Sequence, residues 1–243
     1  MAGIDATPRT SGIAPGVELE PIQLVAPDGT PTAESRYRRD LPPETLAWLY
    51  ESMVVTRELD IEFVNLQRQG ELALFASCRG QEAAQIGTAA CLPKTDWLFP
   101  QYREIGAFLL RGLTPAQMGA VWRGKWHGGL EFTEKCVAPI SIPIGTQGLH
   151  AVGAAMAAQR LGEDSVTLTF MGDGATSEGD AHEALNFAAV FNAHASSSCR
   201  TTTGRSRSRS TGSRPDRPSP TAPSATGCPE FGWTATTCWP VTP

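Results

Sequence analysis

The residues best placed to do chemistry lie in Phe170-Met171-Gly172-Asp173-Gly174, where one carboxylate stands between two glycines after the β-branched, apolar run Ser165–Met171. Such a run suits a strand buried in a parallel sheet. A carboxylate at its end sits on the carboxyl edge, where open α/β sheets bind ligands. Asp173 is suited there to Mg²⁺, a hard cation that takes oxygen donors and completes its octahedron with water and substrate phosphates. The glycines let the backbone approach a diphosphate closely, and the start of the next helix adds N–H donors. Taken alone, Gly-Asp-Gly reads first as an ordinary tight turn, so the surrounding chain has to decide.

The elements that must position this stretch are legible on both sides of it. Pro42-Pro43-Glu44 opens a segment in which Leu46, Leu49, Tyr50, Met53, Val54, Leu59, Phe63 and Leu66 recur at helical spacing, predicting a long amphipathic helix that ends at Gly70. Further helices are expected over 81–90, 104–111, 115–122 and 149–161, and again over 181–191 after the glycines. The fold class is therefore α/β, with a parallel sheet flanked by helices over residues 41–193. Residues 1–40, rich in Pro, Gly and Thr, read as an extended arm with a turn at Pro27-Asp28-Gly29-Thr30.

From His194 onward the composition changes abruptly. That tail holds nine Ser, ten Thr, seven Pro and six Arg, with Phe231 and Val241 its only members of the Leu/Ile/Val/Met/Phe set, so it is expected to be disordered. It carries six Arg against two acidic residues, or +4, so the chain's formal charge of −5 leaves −9 on residues 1–193. Six cysteines without CxxC spacing suggest neither a zinc site nor a disulfide scaffold. No run of 18 apolar residues is present to span a membrane, and residues 1–15 lack a basic region followed by an apolar one, so the expected location is cytoplasmic. His127, in Trp126-His127-Gly128-Gly129, is a candidate to face substrate or cofactor; His150 and His182 suit structural roles equally well.

The wider context is a resemblance. Gly172-Asp173-Gly174-Ala175-Thr176-Ser177-Glu178-Gly179-Asp180, followed by His182-Glu183-Ala184-Leu185-Asn186-Phe187-Ala188, resembles the cofactor motif of the alpha subunit of thiamine-diphosphate-dependent 2-oxo acid dehydrogenases. Arg79-Gly80-Gln81-Glu82-Ala83, Trp97-Leu98-Phe99-Pro100-Gln101-Tyr102-Arg103-Glu104 and Pro143-Ile144-Gly145-Thr146-Gln147 agree with it in the same order. The resemblance implies thiamine diphosphate held through Mg²⁺ on Asp173, with Gly172, Gly174 and Ala175 against the diphosphate. Tyr102 and Arg103 would bind diphosphate oxygens, a role that suits a phenol and a guanidinium fork. Ile142 and Ile144 match positions whose backbone lies against the aminopyrimidine ring. Ser141, Pro143, Thr146 and Gln147 match a K⁺-binding loop of branched-chain members, although a Pro-containing loop entering a helix reads the same way. The implied reaction is decarboxylation of a 2-oxo acid, branched-chain favoured over pyruvate, with acyl transfer to the lipoyl group of an acyltransferase. The implied partner is a beta subunit, which supplies the glutamate that activates the cofactor.

The chain departs from that family downstream, where an Asn-Asn pair should supply the second Mg²⁺ side-chain ligand and Arg200-Thr201-Thr202-Thr203 stands instead. Codons for Arg200–Ser210 exist that, regrouped by one nucleotide, read Gln-Asn-Asn-His-Trp-Ala-Ile-Ser-Val-Pro-Val. Regrouping 224–242 permits a block resembling the family's next one, with an Asp forced by Trp233/Thr234, a Leu by Cys238/Trp239 and an Ala by Trp239/Pro240. A frameshift near Asn192–His194 is the expectation, and a chain so altered is expected to be unstable and inactive. The competing reading is a nucleic-acid-binding or protein-interaction protein using Arg205-Ser206-Arg207-Ser208-Arg209, but that run has no interleaved aromatics for base stacking. Nucleic acid and membrane are accordingly not expected partners.

Overall fold

In a computed structural model, residues 24–26, 28–32, 41–125 and 131–200 are described. Helix α1 (Pro43–Arg68) is followed by α2 (Glu82–Ala90), strand β1 (Trp97–Phe99), α3 (Ile105–Leu110), α4 (Pro115–Trp122) and the short α5 (Phe132–Lys135). Then come α6 (Thr146–Leu161), β2 (Thr167–Gly172), a 3₁₀ turn over Asp173–Ser177, α7 (Gly179–Val190) and β3 (Ala195–Arg200). The strands form one parallel sheet in the order β1-β2-β3, with Phe99 opposite Thr169 and Gly172 opposite Arg200. The α/β architecture expected from the sequence is the one observed.

Local chemistry explains the boundaries. α1 starts on Pro43, whose missing N–H costs nothing in the first turn, and ends before Gly70, which reverses the chain at φ +80°. α4 carries a capping box between Thr114 and Gln117. α6 begins three residues earlier than its periodicity indicated, because Gly145 at φ +90° turns the chain into it and the Gln147 amide anchors the first turn by donating to the Phe170 carbonyl at 2.7 Å. In the arm, Asp28 accepts from the Thr30 N–H at 2.9 Å and its hydroxyl at 2.6 Å, closing the expected turn between Val25 and Pro31.

β2 is the central strand, and residues 167–171 are all buried on both faces. Its Leu168 and Phe170 join Leu98, Ile105, Phe108 and Phe63 in the main core, where Phe75 packs edge-on against both Phe63 and Trp122. The amino-terminal part of α1 departs from the expected stripe: Leu46, Tyr50 and Val54 are exposed, and the buried positions are Thr56, Asp60 and Phe63.

The tail boundary at His194 requires a correction. Residues 195–200 form β3, hydrogen-bonded along the whole of β2, because the open edge of a buried parallel strand demands partners for its N–H and C=O groups whatever side chains follow. Residues 201–243 lie outside the described residues.

Candidate cofactor site at the carboxyl edge of the sheet

Parallel pairing brings the predicted residues to one edge. β1 ends at Phe99, so Tyr102 and Arg103 follow its carboxyl end; β2 ends at Gly172, so Asp173, Gly174 and Ala175 follow the end of the adjacent strand. Asp173 is half-buried and begins the 3₁₀ turn, which the Thr176 hydroxyl closes by donating to the Asp173 carbonyl at 2.6 Å. The amides nearest Asp173 therefore belong to this turn, not to the first turn of α7 as the sequence suggested.

The glycines differ in what packing demands of them. A Cβ added at Gly106 would lie 3.0 Å from Ile86 and 3.1 Å from Thr56, so packing alone demands glycine there. At Gly172, Gly174 and Gly179 it would meet nothing within 4 Å. The same openness is found at turn glycines such as Gly70 and Gly162, so it leaves room for a diphosphate without by itself pointing to one.

Arg103 is held by a network that no motif announced. Its Nη1 donates to the Ser77 carbonyl, and its guanidinium lies 5.3 Å from the centre of the Tyr102 ring. Ser77 is fixed in turn by Asp60, which accepts from the Ser77 hydroxyl and the Cys78 N–H, each at 2.7 Å. Burial, then the neighbouring Asp60 charge, pushes the Cys78 thiol up to about 12. The fully buried Gln85 donates to the Arg103 carbonyl at 2.8 Å and accepts from the Gly106 N–H at 2.9 Å. One sequence signal existed for Asp60: with Thr56 it continues the Phe63 face of α1 at helical spacing, which marks a polar group aimed inward.

The loop before α6 joins the same region. Gly145 packs so closely on the start of α7 that an added Cβ would lie 3.4 Å from Glu178, and the Thr146 hydroxyl donates to Asp180 at 3.2 Å. Ile142 and Ile144 are exposed, an unfavourable setting for two large apolar side chains unless something covers them. The Ser141 hydroxyl reaches the Pro143 carbonyl at 3.2 Å, while the Oε1 of the buried Gln147 has no hydrogen-bond partner. An orphaned buried carbonyl oxygen is a fitting cation donor. Of the expected site residues, Tyr102 and Arg103 follow the carboxyl end of β1 and Gly172–Ala175 that of the adjacent β2, and Thr146 is tied to the segment after the 3₁₀ turn. His150 and His182 are exposed on α6 and α7, and His127 lies outside the described residues.

Among the described residues no three of His, Cys, Asp and Glu converge as a metal cage. Asp173 with few protein ligands suits Mg²⁺ carried on a diphosphate, which brings most of its own oxygens.

The sequence pattern of the family described as Dehydrogenase E1 component matches residues 50–201, more than half of the chain. The chain belongs to this dehydrogenase E1 family. It is 76% identical over 183 residues to a 3-methyl-2-oxobutanoate dehydrogenase subunit alpha of Mycobacterium tuberculosis, covering 75% of this chain and 50% of that relative. It is 40% identical over 153 residues to a pyruvate dehydrogenase E1 component subunit alpha of Acholeplasma laidlawii, covering 63% of this chain and 44% of that protein. With the corresponding Staphylococcus aureus subunit the identity is 36% over 180 residues, or 73% and 48% of the two chains. The chain thus spans about half the length of the curated relatives it matches. Among its described residues no helix is long and apolar enough to cross a membrane.

Proposed function

We propose that this chain is the first half of the alpha subunit of a thiamine-diphosphate-dependent 2-oxo acid dehydrogenase, a cytoplasmic enzyme whose complete form acts on branched-chain 2-oxo acids in preference to pyruvate. The carrying observation is the parallel pairing of β1 and β2, which puts Tyr102, Arg103 and Gly172–Ala175 after the carboxyl ends of adjacent strands. The higher identity to the 3-methyl-2-oxobutanoate relative favours the branched-chain substrate.

The bound cofactor would supply a carbanion nucleophile and an electron sink for decarboxylation. Arg103 and Tyr102 would hold its diphosphate, Asp173 its Mg²⁺, and the Ile142–Ile144 backbone its pyrimidine ring. The orphaned Gln147 oxygen, with Ser141, Pro143 and Thr146, would take a K⁺ that stiffens the loop. A beta subunit would complete the site and a lipoyl-bearing acyltransferase would receive the acyl group. Exposed Tyr50, Val54, Phe187 and Val190 are apolar surface that such an assembly would cover.

The chain as encoded lacks the Asn-Asn pair of its family, and we expect no turnover from it. The test mixes this chain, or one with the reading frame restored, with the beta subunit, thiamine diphosphate and Mg²⁺, and follows CO₂ release from 3-methyl-2-oxobutanoate and pyruvate. Activity of the restored chain alone supports the reading; a silent restored complex overturns the function, and turnover by the present chain overturns the loss.

A further inference from the structure

β3 occupies a place that its side chains do not fit. It lies beside β2, which is buried on both faces, and a strand in that position reads in a stable parallel sheet as a continuous apolar run. β3 instead reads Ala195-Ser196-Ser197-Ser198-Cys199-Arg200. The hydroxyl oxygens of Ser197 and Ser198 are buried without any hydrogen-bond partner. Beside Ala195–Ser197 lies a small, partly open cleft of about 40 Å³, lined by Ala151 and Val152 of α6, Thr169 of β2, and Ala184 and Leu185 of α7. Native interiors satisfy buried hydroxyls and fill such spaces. The unpaired hydroxyls fall on Ser197 and Ser198 and the cleft on Ala195–Ser197, so the two features meet at Ser197.

We infer that β3 is an apolar strand of this sheet read one nucleotide out of frame, the displacement beginning before Ala195. The genetic code makes the inference specific. If the serines use TCN codons, the codons overlapping 195/196, 196/197 and 197/198 each end in TC after one free base, and encode Phe, Leu, Ile or Val. The codon overlapping 198/199 ends in TG, and every choice of its first base gives Leu, Met or Val. Four serine-and-cysteine positions become four consecutive apolar ones. The changes at 197 and 198 remove both orphaned hydroxyls, and the one at 197 adds apolar bulk beside the cleft.

The strand register places what the displaced codons can encode. Arg200 pairs with Gly172, the residue before Asp173. Codons exist that put Gln across 199/200 and an Asn pair across 200/201 and 201/202. That Gln takes the strand position facing Gly172, and the Asn pair follows it directly in sequence. This inference deepens the functional reading above but is tested without cofactor, partner or turnover, so the two can fail separately.

Two measurements test it. The gene is expected to use TCN for Ser196, Ser197 and Ser198; an AGT or AGC codon at any of the three puts Gln, Lys, Glu or a stop into the buried strand and overturns the inference. In the full chain, Ser197→Val with Ser198→Val is expected to raise the thermal unfolding midpoint, whereas Ser197→Thr with Ser198→Thr, equal in shape but keeping the hydroxyls, does not. A fall with valine, or an equal rise with threonine, means that the strand's environment was made for hydroxyls and overturns it as well.

Discussion

The buried carboxamide of Gln85 donates to the carbonyl of Arg103 at 2.8 Å, so a residue on α2 fixes the backbone from which the proposed diphosphate-binding guanidinium projects. Its oxygen simultaneously accepts from the Gly106 N–H at the start of α3. Removing the amide leaves two backbone groups buried and unpaired. Gln85→Ala is expected to cost roughly 3 kcal/mol, at about 1–3 kcal/mol per orphaned group, read as a lower urea midpoint with an unchanged slope. A loss below half a kcal/mol would show that water replaces the amide.

Two helical glycines, one in α2 and one in α3, should respond oppositely to alanine. At Gly106 the new methyl meets Ile86 at 3.0 Å, Thr56 at 3.1 Å and Gln85 at 3.3 Å, so Gly106→Ala is expected to destabilise by about 1–3 kcal/mol. Gly87 lies within α2 with nothing in the way, and Gly87→Ala should stabilise by about 0.5–1 kcal/mol. Chemical denaturation of both variants checks the pair, and a stabilising Gly106→Ala would contradict the packing described for the α2–α3 contact.

Acid should loosen the motif at Arg79–Ala83. Burial works to raise the Glu82 carboxyl, but the Arg57 guanidinium at 2.5 Å and the N–H groups of Gly80 and Glu82 outweigh it and hold the pKa below the usual glutamate value. A depressed folded pKa adds stability that is present above the unfolded value and lost as pH falls through the folded one. Unfolding midpoints are thus expected to decline below the ordinary glutamate range, with a shallower decline in Glu82→Gln. Parallel profiles for the two proteins would remove Glu82 from the acid response.

Cys78 should be the least reactive of the thiols among the described residues. It is fully buried, and burial with the Asp60 charge raises its pKa to about 12, so almost no thiolate exists near pH 8. Brief iodoacetamide treatment followed by peptide mass analysis is expected to mark the half-buried Cys91 and Cys136 before Cys78. Unfolding with urea should abolish the difference; rapid labelling of Cys78 in the folded chain would mean that the loop held by Asp60 opens freely.

What the sequence determined by itself was local. The β-branched run into Gly172-Asp173-Gly174, the helical spacing of α1 and the capped start of α4 are written in consecutive residues, and so was the resemblance that named Tyr102, Arg103 and Asp173 together. Tertiary structure decided what depends on distant partners. β1 has three residues and no periodicity of its own, and becomes a strand only against β2. Ser196–Cys199 became a strand because the edge of β2 needed hydrogen bonds, and only there do unpaired hydroxyls show that the side chains do not suit the place. Asp60 and Gln85 reach groups 17 to 21 residues away, and such pairs acquire meaning only when burial removes water as the alternative partner.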